Sequence, residues 1–167
     1  NDTSQNISIS IIDINDNAPI FSSSANFSVN ENQISVGTIS ASDADQGDTI
    51  TYTINGNDAS AFSLNTSSGV LSFNSEPDFE AQPSYSIIVN ASDGTNSTNQ
   101  DVTISITDVN EAPSITSGVI FRPEENQTII GSIEATDPED DSLIYTIYGT
   151  DAAEILSLIH ISETTRQ

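Results

Sequence analysis

The sequence predicts an all-β protein, a Greek-key β-sandwich of immunoglobulin-like architecture that is built from tandem repeats. Short segments in which apolar and polar residues alternate are separated by turns rich in glycine and asparagine, a pattern typical of half-buried strands. A set of acidic motifs also occurs twice, which indicates a repeated unit. One unit of about 95 residues with seven such segments has the size and strand number of an immunoglobulin-like sandwich.

The alternating segments follow one another along the chain, and each predicts a short strand. They lie at residues 7–11, 27–29, 36–39, 50–54, 62–64, 71–73, 85–89 and 102–106, and residues 143–147 repeat the pattern of residues 50–54. Turns are predicted at Gly47, Asn55-Gly56, Ser68-Gly69 and Asp93-Gly94, because glycine adopts the backbone conformations that tight turns need. No segment of the sequence has the period of an amphipathic helix.

One spacing relates the repeated motifs. An acidic linker ending in Ala-Pro, a Glu-Asn pair and an Asp-rich loop each return 94 residues later, at the pairs Pro19 and Pro113, Glu31 and Glu125, and Asp43 and Asp137. Three motifs at one offset predict a tandem array. The recurring residues are mostly oxygen donors, and a hard cation such as calcium binds to clusters of oxygens.

The charge balance excludes some partners. Lys and Arg number 2 against 25 Asp and Glu, the net charge is −23, and Lys is absent. Such a chain repels nucleic acids and anionic membrane surfaces, so contact with a membrane is expected only through other parts of a parent protein. Metal cations are plausible counterions, although solubility or a salty habitat is an alternative reason for high acidity. Cysteine is absent, which excludes disulfide and thiolate chemistry.

Five motifs follow one another along the chain: the linker at residues 13–17 with Ala18-Pro19, the early glutamate Glu31, the Asp-x-Asp loop Asp43-Ala44-Asp45, the Asp-x-Glu loop Asp78-Phe79-Glu80 and the later aspartate Asp93. In this order they resemble the motifs of the cadherin repeat, in which the first is the inter-repeat linker. The resemblance covers residues 1–155, and it implies an extracellular or cell-surface module that binds calcium at its junctions.

The resemblance implies a calcium site at the first linker, where the side chains of an extended segment alternate in direction. Asp13 and Asp16 would serve ions on the upstream side. The downstream ion would be held by Asn15, Asn17 through its carbonyl, Asp43, Asp45 and Asp93. Calcium takes about 6–8 oxygens from carboxylates, amides, backbone carbonyls and water, and these residues supply all but the last.

The resemblance implies a second site whose linker departs from the family pattern. Its residues would be Glu31, Asp78, Glu80, Asp108, Asn110 and Glu111, with Asp137 and Glu139 from the following repeat. Glu111 stands where the pattern has aspartate, Glu139 replaces the second acid of the Asp-x-Asp loop, and no residue matches Asn17. These changes leave the calcium affinity of the second site open.

Other metal sites and catalysis fit the sequence less well. An EF-hand loop that starts at Asp13 would place Ala18 and Ser24 where that loop requires Gly and Glu. Zinc would lack cysteine ligands, and the single histidine, His160, lies in residues 156–167, which are interpreted below as a non-native tail. A serine nucleophile would have no histidine base, so no enzymatic activity is expected.

The motifs divide the chain into four parts. Residues 1–17 are predicted to be the last strand and linker of an upstream repeat, residues 18–111 a complete repeat, and residues 112–155 a truncated second repeat. Residues 156–167 resemble the translation of a sequencing-library adapter and are predicted to be a non-native tail, excluded from the fold. A divergent native strand is the alternative for this tail.

The expected function follows from the resemblance. Calcium would neutralise clustered carboxylates and make each linker rigid, so that the chain serves calcium-dependent cell adhesion, homophilic adhesion included, in an extracellular or cell-surface protein. Its partners would be calcium ions and other cell-surface proteins or glycans. Two alternatives stay open here: a passive spacer in a bacterial adhesin or secreted multidomain enzyme, and a calcium-dependent glycan-binding module.

Overall fold

The structure is a computed structural model that describes residues 3–149 and the backbone of residues 159–161. Contacts between Cα atoms divide the chain into two compact units, Asn1–Asp108 and Val109–Gln167. In the described part of the chain the strands are accompanied by one turn of 3-10 helix at Ala59–Ala61, which confirms the predicted all-β class. None of the helical structure found there has the length and hydrophobicity needed to cross a bilayer.

The first unit contains the strands that the alternating segments predict. Its strands are β1 (Ile20–Phe21), β2 (Asn26–Asn30), β3 (Ser35–Thr38), β4 (Ala41–Ser42), β5 (Thr51–Asn55), β6 (Phe62–Leu64), β7 (Val70–Phe73), β8 (Ser84–Ser92) and β9 (Ser97–Thr107). The predicted strands between residues 27 and 106 are confirmed, since each overlaps one of these elements. β1 and β4 were not predicted, because a strand of two residues is too short to show alternation.

These strands form two main sheets, and strands distant in sequence lie side by side. One sheet has the order β2-β9-β8-β5 and the other the order β3-β7-β6, while β1 and β4 form a separate pair. β2 runs parallel to β9, whereas β8 pairs antiparallel with both β9 and β5. The predicted Greek-key sandwich is confirmed.

Alternate residues of the long strands β8 and β9 fill the core between the sheets. Ile87 and Val89 on β8 and Val102 and Ile104 on β9 are all fully buried, and the opposite sheet contributes the fully buried Leu71. Burial of a side chain of this size contributes about 1.5–3 kcal/mol. The core therefore gives a firm platform for the loops and turns at the ends of the strands.

Two contacts fix the chain where it leads into the acidic loop after β4. The Tyr52 hydroxyl accepts a hydrogen bond from the Ala41 N–H at 2.9 Å. Gly69 has φ +70°, and a Cβ atom there would lie 2.0 Å from the Ile39 carbonyl oxygen. The Gly69 carbonyl accepts a hydrogen bond from the Ile39 N–H at 2.8 Å. The segment from Ile39 to Ala41, which leads to Asp43, is therefore held in place by Tyr52 and by Gly69.

The second unit has fewer strands. Those in its described residues are β10 (Ser114–Ile115), β11 (Gly131–Ile133), β12 (Ala135–Thr136) and β13 (Ile159–Ile161). β13 pairs in parallel with β11, although it lies within residues 156–167, which are predicted to be a non-native tail outside the fold. Backbone hydrogen bonds do not depend on side-chain identity, so an extended segment of any origin pairs with an open strand edge. The origin of residues 156–167 stays a prediction.

The repeat seen in the motifs is also present in the backbone. The β1–β4 register Ile20↔Ser42 recurs 94 residues later as the β10–β12 register Ser114↔Thr136. The left-handed conformation of Asn32 (φ 61°) recurs at Asn126 (φ 67°), again 94 residues later. Asparagine tolerates this conformation better than most residues, which is why the two Glu-Asn pairs form matching turns.

Two predicted strands are wrong for this chain. Residues 7–11 form no strand, and Ile7, Ile9 and Ile11 are highly exposed. Residues 143–147 form no strand either, and Ile144 is 93% exposed. In the first unit β5 is held by β8, but neither of these two segments has a partner strand among residues 3–149. An extended segment without a neighbour gains no ladder of backbone hydrogen bonds, whatever its side-chain pattern.

Candidate metal centres

The first candidate centre combines three segments of the first unit. These are the linker at residues 13–17, the loop at residues 43–48 after β4, and the turn at residues 93–96 between β8 and β9. The loop is shaped by a hydrogen bond from the Asp45 N–H to Asp43 Oδ1 at 3.0 Å, which is an Asx turn. All three segments carry oxygen-bearing side chains, and hydrogen bonds join them to one another.

Asp45 is the point at which the linker meets the loop. The backbone N–H groups of Asp16 and Asn17 donate to Asp45 Oδ2 at 2.9 and 2.8 Å. Asn17 Nδ2 donates to Asp45 Oδ1 at 2.7 Å and to Asp16 Oδ1 at 3.0 Å. The bonds from the Asn17 backbone and side chain hold the pKa of Asp45 below its usual value, because they stabilise the charged form. Asp45 is therefore ionised at neutral pH, as a cation ligand must be.

The structure adds Asp48 to this loop. Asp43, Asp45 and Asp48 each offer a carboxylate oxygen within 4.8 Å of the other two, an arrangement that could hold a metal ion. Gly47, at φ +96°, provides the change in chain direction before Asp48. The motif comparison missed Asp48 because the position 94 residues later is Ser142. A third acid within a six-residue loop is the signal that could have found it.

Asp93 and Asn96 connect the β8–β9 turn to the linker. Asp93 Oδ1 accepts hydrogen bonds from the N–H groups of Thr95 and Asn96, both at 2.6 Å. Burial acts to raise the pKa of Asp93, but the hydrogen bonds from Asn96 and Thr95 outweigh it, so this pKa also lies below its usual value. Asn96 Nδ2 donates to Asn15 Oδ1 at 3.1 Å and to the Asn17 carbonyl oxygen at 2.8 Å.

Two buried carboxylate oxygens of this centre lack a hydrogen-bond donor among the described residues, and a bound cation would compensate for it. Asp43 Oδ2 and Asp93 Oδ2 are inaccessible to solvent, and neither accepts a hydrogen bond from the part of the chain that is described. A buried polar atom without a partner costs about 1–3 kcal/mol, and a charged one costs more. A cation would supply the missing interaction. The atoms of this centre that could bind a metal are all oxygens, and a hard cation prefers oxygen ligands.

The structure brings together the predicted residues of the first centre. Asp13, predicted for the upstream side, accepts a hydrogen bond at Oδ2 from the Gln46 N–H at 2.6 Å. Asn15 and Asn17 are joined to Asn96, and Asp16 is joined to Asp45. The linker is therefore held against the repeat that follows it by direct hydrogen bonds. Whether these oxygens bind a metal stays a prediction.

Part of the second candidate centre also lies in the first unit. Glu31 is only 2% exposed, and its Oε2 accepts a hydrogen bond from the Phe79 N–H at 2.9 Å. Glu31, Glu80 and Asp108 each place a carboxylate oxygen within 4.8 Å of the other two. Asp78 does not belong to this group, and its Oδ1 accepts a hydrogen bond from the Ala81 N–H at 2.9 Å. Burial of a carboxylate as deep as that of Glu31 favours a compensating cation nearby.

The other predicted ligands of the second centre lie in the second unit. They are Asn110, Glu111, Asp137 and Glu139. Asn110 Nδ2 lies 3.5 Å from Glu139 Oε2, whereas the linker amide of Asn17 lies 2.7 Å from Asp45 Oδ1 in the first unit. A distance of 3.5 Å is at the outer limit of a hydrogen bond, so this single contact is weaker than the one that Asn17 makes.

Comparison with known proteins decides the family. A model of the cadherin domain matches residues 25–107, which include β2 to β9 of the first unit. The chain belongs to the cadherin repeat family. The family resemblance that the five motifs predicted is confirmed. The predicted extracellular or cell-surface location is also confirmed, since the matching domains are extracellular cadherin domains.

The curated relatives of this cadherin chain are much longer proteins. The chain is 37% identical over 124 residues to Protocadherin Fat 4 of Homo sapiens, which covers 69% of this chain and 2% of that protein. It is 32% identical over 169 residues to Protocadherin-11 X-linked of Homo sapiens, which covers 90% of this chain and 12% of that protein. The chain therefore spans a small fraction of the length of the relatives that it matches.

Solved cadherin structures have the same fold. Mouse Cadherin-23 EC22-24 superposes with a TM-score of 0.54 at 26% identity, over 76% of this chain and 45% of that chain. The extracellular cadherin domains 3-6 of Protocadherin Gamma B2 give a TM-score of 0.58 at 28% identity, over 77% of this chain and 37% of that chain. Both comparisons reach well beyond the residues of a single repeat.

Proposed function

We propose that this cadherin chain binds calcium at its linkers and contributes to calcium-dependent cell adhesion by making the array of repeats rigid. The first centre carries the proposal. Three carboxylates lie within 4.8 Å of one another, and two carboxylate oxygens of this centre, one on Asp43 of that trio and one on Asp93, are inaccessible to solvent and accept no hydrogen bond from the described chain. The proposed array consists of the end of an upstream repeat with its linker at residues 1–17, a complete repeat at residues 18–111 and a truncated repeat at residues 112–155, with residues 156–167 as a non-native tail.

The donor set favours calcium over other cations. Calcium takes about 6–8 oxygens at roughly 2.3–2.6 Å in variable geometry, which suits carboxylates and carbonyls from three separate segments. Magnesium demands a near-ideal octahedron and releases its water reluctantly. Zinc prefers sulfur and nitrogen ligands, and this chain has no Cys and a single His.

We assign the oxygens of each centre by the segment that carries them. In the first centre the downstream ion takes the linker oxygens of Asn15 and Asn17 and the carboxylates of Asp43, Asp45 and Asp93, with Asp48 added, while Asp13 and Asp16 serve ions upstream. In the second centre Glu31, Asp78, Glu80 and Asp108 serve one side, and Asn110, Glu111, Asp137 and Glu139 the other. The loose contact between Asn110 and Glu139 supports weaker calcium binding there.

Charge neutralisation links calcium to rigidity. Two carboxylates 4 Å apart repel each other by about 1 kcal/mol in water and by about 4 kcal/mol at an effective dielectric constant of 20. Without a cation, several such pairs at one linker oppose close packing of the linker on its repeat. A bound calcium ion removes this repulsion and ties residues of the linker, the loop and the turn to one centre.

Family membership supports adhesion as the outcome. Cadherin-family proteins are adhesion proteins and not enzymes, and the acids assigned to the two centres lie in linkers, loops and turns. Other cell-surface proteins, copies of the parent protein among them, are the partners that this proposal implies. No specific observation favours a passive spacer or a glycan-binding module.

Calcium titration of the whole chain tests the metal sites. Extracellular calcium modules bind with Kd of about 10⁻⁴–10⁻³ M, so calorimetry should detect binding in that range. Asp43→Asn and Asp93→Asn should each weaken binding, because each removes a charge from an oxygen that lacks another partner. Asp101→Asn removes the same charge from an exposed position on β9 and should leave binding unchanged. Equal binding by all three variants would reduce the effect to general charge screening.

Bead aggregation tests the adhesive role. Beads that carry the chain should aggregate in millimolar calcium and disperse in EDTA if this segment takes part in homophilic contact. Mixed beads, with the chain on one set and a cell-surface extract on the other, test contact with other proteins. Calcium binding without aggregation in either assay would leave this segment a rigid part of the array that makes no adhesive contact itself.

A further inference from the structure

Asn96 holds the linker oxygens of the first centre, although it matches no motif and lies outside the proposed ligands. Its Nδ2 donates to Asn15 Oδ1 at 3.1 Å and to the Asn17 carbonyl oxygen at 2.8 Å. These are the two linker oxygens assigned to the downstream ion. We infer that Asn96 is a positioning residue, which places both oxygens for calcium before calcium binds; this inference rests on the proposed function.

The backbone of Asn96 is anchored independently of its side chain. Its N–H donates to Asp93 Oδ1 at 2.6 Å, and its carbonyl accepts hydrogen bonds from the Asp93 N–H at 3.2 Å and from Ser92 Oγ at 3.0 Å. Ser92 also pairs with Ser97 in the β8–β9 ladder. The turn is therefore held by contacts other than the side-chain amide of Asn96, which binds the linker and also helps to stabilise the charged form of Asp93.

Positioning by Asn96 is compatible with metal binding. A carbonyl or amide oxygen has two lone pairs, so it accepts one N–H and still presents a lone pair to a cation. Asn15 and Asn17 thus keep their contacts with Asn96 when the ion is bound. A carboxylate at position 96 would reverse this arrangement, because it has no N–H to donate.

Preorganisation of the linker determines how much Asn96 contributes to calcium affinity. A linker that is already ordered does not lose further conformational freedom when it binds an ion, so its affinity is higher than that of a mobile linker. Loss of the hydrogen bonds from Asn96 should therefore raise the calcium Kd by about three- to tenfold, the range expected for one or two net hydrogen bonds.

The metal-free state provides the first measurement. Amide hydrogen exchange in EDTA should be about three- to tenfold faster at Asp16 and Asn17 in Asn96→Ala and Asn96→Asp than in the wild-type chain. Asn96→Asp keeps the size of the side chain and removes its donors. The control Asn99→Ala removes an exposed cross-strand hydrogen bond between Asn90 and Asn99, 2.8 Å long, and should leave the linker unchanged.

The second measurement separates positioning from a general structural role. Exchange at the β8–β9 ladder and the melting temperature in EDTA should stay at wild-type values in both Asn96 variants, whereas the calcium Kd of Asn96→Ala should rise. Unchanged exchange at residues 16 and 17, faster exchange in the ladder, or an unchanged Kd would each overturn the inference. A wild-type chain that binds no calcium would overturn the proposed function, and the exchange data in EDTA would still decide whether Asn96 holds the linker.

Discussion

Asp45 shows how strongly neighbours in space determine the state of a single residue. It accepts hydrogen bonds from Asp16 and Asn17, which precede it by 29 and 28 residues. The Asp-x-Asp motif was sufficient to predict that Asp45 belongs to a site. The bonds that lower its pKa were not predictable, since they depend on the path by which the linker returns to the loop. Asn96 was missed for the same reason: no motif contains it, and only the fold places it beside the linker.

The lowered pKa values of Asp45 and Asp93 predict acid sensitivity in the absence of calcium. Both groups have folded-state pKa values below the ordinary 3.8, so the unfolded chain binds protons first as the pH falls. Their contribution to stability is present above about pH 3.8 and is lost as the pH falls through the lower folded-state values. Urea unfolding in EDTA at about pH 5 and about pH 3 measures the loss. Asp45→Asn should show a smaller pH dependence than the wild type, and an equal dependence would contradict the assignment.

A side chain at Gly69 should lower the free energy of unfolding through a steric clash, and this loss can be measured separately from backbone strain. A Cβ atom at Gly69 would lie 2.0 Å from the Ile39 carbonyl oxygen, at φ +70°. Gly94 has a similar positive φ of +99°, but a Cβ atom there would meet nothing within 4 Å. Gly94→Ala therefore reports strain alone, at about 1 kcal/mol, and Gly69→Ala should cost about 1–3 kcal/mol more. Urea unfolding of both variants measures the difference, and equal costs would show that Ile39 moves away freely.

At the scale of elements, alternation identified the strands that the sandwich buries on one face. β8 and β9 are long and have inward residues at every second position, so their pattern is unambiguous. The same pattern failed at residues 7–11 and 143–147, because a strand also requires a neighbour and local sequence does not reveal one. Pairings such as β2 with β9 are non-local, and only the family resemblance implied them.

Because β9 lies between β2 and β8, replacing two isoleucines of this sheet by alanine should lower the free energy of unfolding by unequal amounts. Ile104 on β9 is fully buried, whereas Ile88 on β8 is 39% exposed. Ile104→Ala should lower the free energy of unfolding by about 2–5 kcal/mol, since it leaves a cavity between packed sheets. Ile88→Ala should cost about 1 kcal/mol or less, because solvent already reaches this side chain. Denaturant titration in calcium compares the two, and similar losses would show that the inner and outer faces of this sheet are assigned wrongly.

At the scale of the whole molecule, the two units differ in how completely they bury their apolar residues. The first has two sheets around one core, while the described strands of the second have two or three residues each. Val119, Ile120 and Ile144 in the second unit are 87%, 71% and 93% exposed. The Tyr145 hydroxyl accepts or donates no hydrogen bond within the described chain, whereas the matching Tyr52 hydroxyl binds Ala41. Stability should therefore be concentrated in residues 18–111.

Limited proteolysis of the whole chain tests this distribution. Trypsin is unsuitable, because the chain has no Lys and its two Arg are Arg122 and Arg166, so proteinase K is the better probe. Cleavage requires local unfolding, and exposed segments with few strand contacts open most easily. The first cuts should fall in the exposed residues before the linker and after about residue 112, and a fragment that contains residues 18–111 should persist, with or without calcium. Mass spectrometry of the products identifies the boundary. If the whole chain resists the protease and melts in one transition, residues 112–167 form part of a single cooperative fold, and the proposed boundary at residue 111 is wrong.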